Sequence, residues 1–350
     1  MLVSVTGGTG FVGAHSVAAI LEAGHRVRLL VRDESTVERA LAPLGVDAGA
    51  VDLVRGDVLA RADVDRLVRG ADAVLHAASV YSFDSRLHGA MRRTNVAGTE
   101  LVLDAARRAG AGRTVYVSTF GALSPTPRRV IGPDSPVGRP REAYLASKAA
   151  AETVARRHQE QGAPVAITYP PALLGPHDPK LGDQTTRLRN ALRGLMPIWP
   201  LGGLPIGDVR DTAALHASLV DARSPALEPV RDRHLCPGHY LTTRQYVRTL
   251  REITGRALPT VYLPARAMLP LGALTTLLQR VWPWHIPAEY GAIYTCACAL
   301  RADDRATSPV VAARPVVATF ADTVGWLHRG GLLSDRAAGA AVAAPAVLTS

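Results

Sequence analysis

Lysine is almost absent from this sequence, although the chain is basic. Of its 40 Lys and Arg residues only two are lysines, Lys148 and Lys180, and the formal net charge is +10. The positive charge is spread along the chain, with no block of five or six like charges and no basic stripe interleaved with aromatic residues. We therefore expect no nucleic-acid partner, and the excess of Arg and Ala indicates a GC-rich coding sequence.

Cysteine and long apolar runs are also scarce. The three cysteines, Cys236, Cys296 and Cys298, form no CxxC pair and no metal-ligand spacing, so we expect no metal site. This usage suits a reducing cytosol, and no targeting peptide is expected before the first strand, so the sequence predicts a cytoplasmic protein. The longest apolar window, Ala267–Leu278, is too short to cross a bilayer, so we expect no transmembrane span.

The N-terminus carries the strongest pattern in the chain. The apolar run Met1–Val5 predicts a strand, residues 6–13 read Thr-Gly-Gly-Thr-Gly-Phe-Val-Gly, and an apolar helical stretch follows. Strand, glycine turn and helix in this order are typical of a dinucleotide-binding βα unit. Gly7 permits the tight turn, Gly10 lets the backbone approach a pyrophosphate, and Gly13 allows close helix packing.

Residues 1–176 alternate strand-like runs with helical stretches, which predicts an α/β protein with a doubly wound parallel sheet, a Rossmann fold. The second strand ends in Val31-Arg32-Asp33, beside the expected adenosine ribose. An acidic residue there binds the 2′-hydroxyl of NAD, whereas an Arg accommodates the 2′-phosphate of NADP. Arg32 suits a phosphate, while Asp33 either serves the ribose or caps the next helix. We therefore favour NADP(H) over NAD(H).

Two further strand ends carry candidate ligand residues. After strand three, Asp57 either accepts a hydrogen bond from the adenine amino group, with Val58 packed on the ring, or caps a helix. Strand four ends in His76-Ala77-Ala78, where the small Ala77 and Ala78 leave room for a ligand over the sheet edge. We expect His76 to be a hydrogen-bonded core residue rather than a catalyst.

A Tyr–Lys pair carries the candidate chemistry. Tyr144 and Lys148 stand four apart in a helical stretch and so share one helix face. A phenol with a pKa of about 10 is a poor acid-base group at neutral pH, and an ammonium one turn away lowers that pKa. Lys148 can also hydrogen-bond the nicotinamide ribose, and the hydroxyl of Thr119, at the end of strand five, can polarise a substrate carbonyl. The loop Ser124–Arg141 before the helix predicts a flap over the substrate.

Together these motifs resemble the extended class of the short-chain dehydrogenase/reductase superfamily, the NAD-dependent epimerase/dehydratase family. Within it the chain is similar to the group of dihydroflavonol 4-reductase and cinnamoyl-CoA reductase, with 3β-hydroxysteroid dehydrogenases as the nearest competing group. The resemblance covers about residues 1–330 and implies an NADPH-dependent carbonyl reductase. The matching segments are residues 6–13, 57–58, 76–78, 95–99, 117–119, the pair Tyr144 and Lys148, and residues 170–176 and 209–211.

The resemblance also implies roles for individual residues. Tyr144 would be the proton donor, Lys148 its activator and Thr119 the hydroxyl that polarises the substrate. Pro170 and Leu173 would border the nicotinamide. The full set expected to bind the cofactor is Gly7, Thr9, Gly10, Phe11, Val12, Arg32, Asp57, Val58, Ala77, Ala78, Tyr144, Lys148, Pro170 and Leu173.

Two departures from the family pattern bear on the substrate. Tyr169 precedes Pro170 where the family usually has an Arg, and Phe120-Gly121-Ala122 stands in place of Val-Tyr-Gly. We expect both changes on the substrate side of the site. They therefore do not affect the predicted hydride transfer, and the sequence does not identify the substrate.

The regular alternation ends after Pro176. Residues 177–333 are expected to form a smaller, mostly helical substrate lobe, with 209–240 returning to the core and 334–350 disordered. Helices are predicted at Gln184–Leu195, Val209–Ala222, Thr242–Gly255 and around residues 322–327. Three interpretations of the apolar segment 265–284 stay open: a substrate lid, which we favour, a dimer face, or peripheral contact with a membrane surface. The chain is expected to be a monomer or a homodimer.

Three functions stay open at this point. The favoured one is NADPH-dependent reduction of a small-molecule carbonyl substrate, a bulky and largely apolar ketone or aldehyde. A 3β-hydroxysteroid dehydrogenase-like enzyme or a nucleotide-sugar epimerase/dehydratase is the alternative, but sugar chemistry calls for polar groups where the C-terminal half is rich in Pro, Trp and Leu. A non-catalytic dinucleotide sensor would not need Thr119, Tyr144 and Lys148.

Overall fold

A computed structural model gives the structure of residues 1–81, 88–126, 130–221, 232–278, 290–302 and 310–342. Within these ranges the strands are β1 (Leu2–Thr6), β2 (Arg26–Val31), β3 (Val51–Arg55), β4 (Ala73–His76), β5 (Arg113–Val117), β6 (Val130–Ile131), β7 (Val165–Tyr169), β8 (Ala172–Leu174), β9 (Ile198–Leu201), β10 (Gly203–Asp208), β11 (Arg233–Leu235), β12 (His239–Thr242), β13 (Val261–Pro264) and β14 (Arg301–Ala302). The helices are α1 (Phe11–Glu22), α2 (Ser35–Leu41), α3 (Arg61–Val68), α4 (His88–Arg108), α5 (Ala143–Glu160), α6 (Asp183–Leu192), α7 (Val209–Val220), α8 (Thr243–Thr254), α9 (Ala265–Leu278), α10 (Tyr290–Cys298), α11 (Val316–Arg329) and α12 (Asp335–Ala338).

Seven strands form one parallel sheet in the order β11-β7-β5-β4-β1-β2-β3. β1 is central, with Val3 opposite Val27 on one side and Ala73 on the other. The strand order reverses between β1 and β4, and ligands of open α/β sheets bind in the crevice at the carboxyl ends of such strands. The predicted doubly wound parallel sheet is confirmed.

Helices cover both faces of this sheet. On one face α1 and α7 bury Val17 and Leu215 against the central strands. On the other face α3 and α4 bury Val64 and Val102, and α5 packs beside α4. Because both faces are covered, the strands are apolar along their length, and every residue of β4 and β7 is buried.

The C-terminal part has a core of its own, formed by a three-stranded sheet, β12-β10-β8, a two-stranded sheet, β13-β9, and helices that include α6, α8 and α11. At its centre the ring of Tyr246 lies 5.3 Å from that of Trp199 and 4.8 Å from that of Phe320. The predicted helix at Thr242–Gly255 is α8, which begins with a capping box between Thr242 and Gln245. Within the described ranges, none of the helices combines the length and the apolarity that crossing a bilayer requires.

Two expected boundaries differ from the structure. α4 begins by His88, six residues before Thr94, which the sequence pattern around residues 94–99 indicates as the start of this helix. Residues 334–342, expected to be disordered, form α12 and a 3₁₀ turn in which Ala337 and Ala338 are buried in the C-terminal core. That expectation is wrong for this stretch, because alanines are small enough to fill narrow space between helices. Residues 343–350, 279–284 of the apolar segment and 127–129 of the predicted flap lie outside the described residues.

Candidate active site

The glycine turn between β1 and α1 leaves an accessible surface at the crevice. Gly7 has a φ of 78°, and a Cβ on it would lie 2.5 Å from the backbone nitrogen of Ala78, at the end of β4. A Cβ on Gly13 would lie 2.1 Å from a carbonyl oxygen of the turn, whereas one on Gly10 would approach a described residue no closer than 3.3 Å. α1 has no side-chain cap and no acidic residue in its first turn, so its N-terminus suits a pyrophosphate. These residues fit a bound dinucleotide.

The other residues predicted around the turn divide into two groups. Val12 and Ala77 pack against the first hydrophobic core, while Thr9 and Phe11 are partly exposed at the turn. The Phe11 ring lies edge-on to the ring of His15, with 5.4 Å between their centroids. The turn therefore has a packed side toward the sheet and an accessible side toward the crevice.

Arginines gather where the adenosine end of the cofactor is expected. Arg32 follows β2, is exposed, and makes no hydrogen bond or ion pair with a described residue. The Asp33 carboxylate accepts hydrogen bonds from the backbone nitrogen of Ser35 at 3.0 Å and from its hydroxyl at 2.7 Å, so Asp33 caps α2. These bonds lower the pKa of Asp33, and the nearby Arg39 and Arg55 lower it further. The structure thus gives Asp33 the capping role.

Asp57 and Val58 follow β3. The Asp57 carboxylate accepts a hydrogen bond from the backbone nitrogen of Leu59 at 2.8 Å, within the turn before α3, whereas the N-cap of α3 is Ala60, so Asp57 does not cap that helix. Val58 packs against Gly98 in α4, where a Cβ would lie 3.2 Å from a Val58 methyl group. The structure shows this local role for Asp57 and leaves adenine binding a prediction.

Lys148 is buried on α5 and faces the end of β5. It is 3% exposed, its Nζ donates a hydrogen bond to the carbonyl oxygen of Val117 at 2.7 Å, and it lies 4.9 Å from the centroid of the Tyr116 ring. Burial lowers the pKa of this lysine to about 8, and the carboxylate of Glu152, one turn further along α5, works against that change. The ammonium is therefore held at the carboxyl end of β5, two residues before Thr119.

Tyr144 lies one turn before Lys148 at the start of α5, where the buried Glu142 caps the helix by accepting from the nitrogens of Tyr144 and Leu145. Its phenol lies near the hydroxyl of Ser79, just past the end of β4, and that hydroxyl donates to the side-chain oxygen of Asn95 at 3.2 Å. Burial raises the pKa of Tyr144 above its ordinary value, and the Glu142 carboxylate raises it further. The lowering expected from Lys148 is not found here; its ammonium donates to the Val117 carbonyl.

The hydroxyls after β5 differ in their surroundings. The Thr119 hydroxyl oxygen accepts a hydrogen bond from the nitrogen of Gly121 at 3.3 Å, which orients it at the end of the strand. Ser118 is 4% exposed, and its hydroxyl has no hydrogen-bond partner among the described residues. The partly exposed Thr119 is thus the one of the two that a substrate can reach.

Asn95 ties the parts of the site together. Its side-chain amide accepts from the nitrogen of Val80 at 2.8 Å and donates to the carbonyl of Val80 at 3.0 Å and to the hydroxyl of Ser147 at 2.9 Å. Because α4 begins well before Asn95, this residue does not cap the helix, and it instead holds the loop after β4 against α5. It fixes Ser79 and Tyr144 relative to each other.

Two residues at the site were missed by the sequence. The Tyr81 ring packs edge-on against the Tyr144 ring, with 4.4 Å between centroids, and its hydroxyl donates to the carboxylate of Asp183 at the start of α6. Burial raises the pKa of Asp183 to about 6. Tyr81 and Asp183 are 102 positions apart, so no local pattern could have paired them.

The two departures from the family pattern lie in the core rather than on the substrate side, so that expectation is wrong. The Tyr169 hydroxyl donates to the buried carboxylate of Glu152 at 2.5 Å and lies 3.1 Å from a nitrogen of Arg156, both on α5. Phe120 is 4% exposed and belongs to the same core cluster as Tyr169. The replacements therefore repack the interface between the sheet and α5.

The remaining predicted residues are placed as follows. The Pro170 carbonyl accepts a hydrogen bond from the nitrogen of Phe120 at 3.1 Å, and Leu173 is paired with Gly207 in the three-stranded sheet. His76 is buried between the hydroxyls of Thr6 and Thr99, at 2.7 and 3.1 Å, so its expected role as a core residue is confirmed. Among the described residues no group of three or more His, Cys, Asp and Glu could hold a metal ion.

Comparison with known proteins agrees with this geometry. The sequence model of the family described as NAD dependent epimerase/dehydratase matches residues 3–226. Sterol demethylase protein B of Methylococcus capsulatus is 29% identical over 342 residues, which span 95% of this chain and 100% of that protein. Cinnamoyl-CoA reductase 1 of Oryza sativa subsp. japonica is 32% identical over 270 residues, 73% of this chain and 76% of that protein. The crystal structure of gox2253 superposes with a TM-score of 0.75 at 27% identity and covers 95% of this chain and 99% of that one.

Proposed function

The chain belongs to the NAD dependent epimerase/dehydratase family and is an NAD(P)-dependent enzyme, and from that premise we propose that it is an NADPH-dependent carbonyl reductase. Its substrate is a bulky, largely apolar ketone or aldehyde. The observation that carries the proposal is the position of Tyr144 and Lys148, which reach the ends of β4 and β5 beside the glycine turn.

In the proposed reaction Tyr144 gives its phenolic proton to the carbonyl oxygen of the substrate. The nicotinamide, when bound, supplies the hydride to the carbonyl carbon. Thr119 donates a hydrogen bond to the same oxygen and orients it, as a small oxyanion site. Lys148, held at the end of β5 by its hydrogen bond to the Val117 carbonyl, is placed to hydrogen-bond the nicotinamide ribose.

The raised pKa of Tyr144 supports the reductive direction. A proton donor must hold its proton at neutral pH, and burial keeps this phenol protonated. Oxidation of an alcohol would instead begin from the phenolate, which burial disfavours.

The preference for NADPH rests on the arginines around the end of β2. Arg32 has no partner among the described residues, and Arg39 and Arg55 lie near enough to affect the pKa of Asp33. The Oδ1 atom of Asp33 already accepts two hydrogen bonds from Ser35. The 2′-phosphate of NADP would meet positive charge and hydrogen-bond donors here, whereas the 2′-hydroxyl of NAD would meet a carboxylate oxygen that already accepts two hydrogen bonds.

The proposed substrate class rests on the C-terminal part, which we assign as the substrate lobe, residues 177–333, with 209–240 in the core of the dinucleotide domain, residues 1–176. The similarity to sterol demethylase protein B spans both halves of the chain and supports an apolar, sterol-sized substrate. Nucleotide-sugar epimerisation or dehydration, within the same family, is the alternative.

The test compares cofactor binding with turnover in a Tyr144→Phe variant. We expect it to bind NADPH with unchanged affinity, measured by cofactor fluorescence, and to lose at least about a hundredfold in kcat on any accepted carbonyl, because general acid catalysis contributes that much. The matched control is Tyr262→Phe, on β13, which should retain full activity. Steroid, flavonoid, acyl-CoA and simple aromatic carbonyls form the substrate panel. Equal turnover in the Tyr144 variant would contradict the assignment.

The cofactor preference has its own test. Arg32→Ala should raise the KM for NADPH by about tenfold or more and leave the KM for NADH nearly unchanged, because a charge-assisted hydrogen bond contributes about 1.5–3 kcal/mol. Arg26→Ala, at the other end of β2, is the control. An equal change for both cofactors would argue against a phosphate at Arg32.

A further inference from the structure

The two-stranded sheet β9-β13 carries a cluster of exposed apolar side chains. Ile198 is 48% exposed, Val261 56% and Leu263 40%, and Leu195, just before β9, is 54% exposed. Val261 and Ile198 are direct partners in the sheet. We call these four residues the β9–β13 patch. They are four of the eight large apolar side chains that are exposed among the described residues, and the others are scattered singly.

The exposure of the patch is set by the alternation of the strands. Ile198 points outward, whereas its neighbour Trp199 is 4% exposed and donates through its indole nitrogen to the carbonyl of Met196 at 2.8 Å. On β13, Tyr262 between Val261 and Leu263 lies 4.5 Å under the guanidinium of Arg244. One side of this small sheet is therefore packed on the lobe, and the other presents aliphatic groups to the surroundings.

The segments that build the patch contain no acidic residue. No Asp or Glu occurs between Asp183 and Asp208, or between Glu252 and Glu289. Both segments do contain arginines, and Arg193 and Arg266, which flank the patch in sequence, are exposed. In a chain with 30 acidic residues, their absence from both stretches gives these two segments a positive net charge.

We propose that the β9–β13 patch, with Arg193 and Arg266, binds the surface of an anionic lipid bilayer. Aliphatic side chains enter the boundary between headgroups and acyl chains, and arginines beside them pair with lipid phosphates. A second copy of this chain would bring like charge against like charge at the same patch, so self-association through it is disfavoured. The charge complementarity selects the anionic bilayer as the occupant.

The β9–β13 patch lies near the active site along the chain of contacts through α6. α6 begins at Asp183, which accepts from Tyr81 at the edge of the active site, and ends just before Arg193. A helix of this length spans about 15 Å. A chain docked through the patch therefore holds its catalytic crevice close to the bilayer, where apolar molecules concentrate.

The test is cosedimentation of the full chain with vesicles of phosphatidylcholine alone and of equal parts phosphatidylcholine and phosphatidylglycerol. We expect binding to the anionic vesicles, weakened by high salt, and little to the neutral ones. Val261→Glu should reduce this binding at least about fivefold, and Arg266→Glu about thirtyfold, because each charge near the surface contributes about 1 kcal/mol and a reversal counts twice. Val317→Glu, an equally exposed valine on α11, should bind like the wild type.

Fluorescence binding of NADPH and the thermal midpoint show whether each variant is folded, and Arg266→Glu, at an exposed position, keeps the test available if Val261→Glu unfolds. Absence of wild-type binding to anionic vesicles would overturn the proposal. Equal losses in the Val261 and Val317 variants would overturn it too. So would light scattering that shows a dimer which Val261→Glu dissociates while vesicle binding persists.

Discussion

Replacement of Lys148 by methionine tests the electrostatics of the site most directly. The lysine is almost fully buried, and burial lowers its pKa from an ordinary value of 10.5 to about 8. Methionine has a similar length and no charge, so it fills the same space. The substitution removes the buried ammonium together with its hydrogen bond to the Val117 carbonyl at 2.7 Å.

The magnitude follows from the two pKa values. The interval from 10.5 to about 8 corresponds to about 3 kcal/mol of stability lost at neutral pH, where the buried lysine must be charged. Loss of the hydrogen bond to Val117 offsets about 1 to 2 kcal/mol of the gain. We therefore expect the Lys148→Met protein to be about 1 kcal/mol more stable than the wild type at pH 7, and inactive.

The dependence of the stability difference on pH tests the burial of Lys148 more specifically than the difference at pH 7 does. Between about pH 8 and 10.5 the folded wild type binds fewer protons than the unfolded chain, so its stability rises with pH in this window. Methionine does not titrate. From pH 7 to pH 9 the wild type should therefore gain about 1 kcal/mol relative to the variant.

The assay is urea unfolding of both proteins, without cofactor, at pH 7 and pH 9, followed by tryptophan fluorescence. Lys180→Met is the matched control, since Lys180 is the only other lysine and is exposed. It should change stability by less than about 0.5 kcal/mol at either pH. A difference between wild type and Lys148→Met that stays constant with pH would refute the burial of a charged lysine.

Three further substitutions test the fold around the site. Gly13→Ala should lower the unfolding free energy by about 2 kcal/mol or more and impair NADPH binding, because the added Cβ would lie 2.1 Å from a carbonyl oxygen. The control Gly89→Ala, where a Cβ meets open space, should be neutral or stabilising, and equal effects of the two substitutions would contradict the prediction. Tyr169→Phe should lower the unfolding free energy by about 1–3 kcal/mol in urea titrations, because it removes the hydrogen bond that the buried Glu152 carboxylate accepts. An unchanged urea midpoint would show that this bond contributes nothing to stability. Burial raises the pKa of Asp183 to about 6, so the unfolding free energy of the wild type should fall by about 1–2 kcal/mol as the pH rises from about 4 to about 6. The Asp183→Asn variant should not show this fall, and thermal midpoints of the two proteins that change in parallel with pH would contradict the prediction.

Local patterns predicted the parts of the site that depend on neighbours in sequence. The turn at Gly7 follows from a backbone conformation that only glycine adopts easily, and the facing of Tyr144 and Lys148 follows from helical spacing. The ends of β4 and β5 were placed together because parallel strands share one edge. The fold class came from the same regular alternation.

Contacts between distant segments were not predictable in the same way. The pair of Tyr81 and Asp183 depends on how the C-terminal part sits against the loop after β4. The direction of Tyr169 into the core depends on Glu152, a partner that no motif identifies. The pKa of Tyr144 depends on burial and on the nearby Glu142 carboxylate, and the four-residue spacing of Tyr144 and Lys148 indicates neither.

The C-terminal hydrophobic core draws on residues from Leu174 to Ala341, and this has a consequence during synthesis. The parallel sheet is complete once β11 has left the ribosome, but the last alanines that close the second core emerge about a hundred residues later, roughly 5–20 s at ordinary translation speeds. Throughout that interval Trp199 and Tyr246 lack their final cover. The nascent chain thus passes through a stage in which the nucleotide-binding half is folded and the C-terminal core is incomplete. At this stage the chain exposes the most apolar surface to which a chaperone can bind.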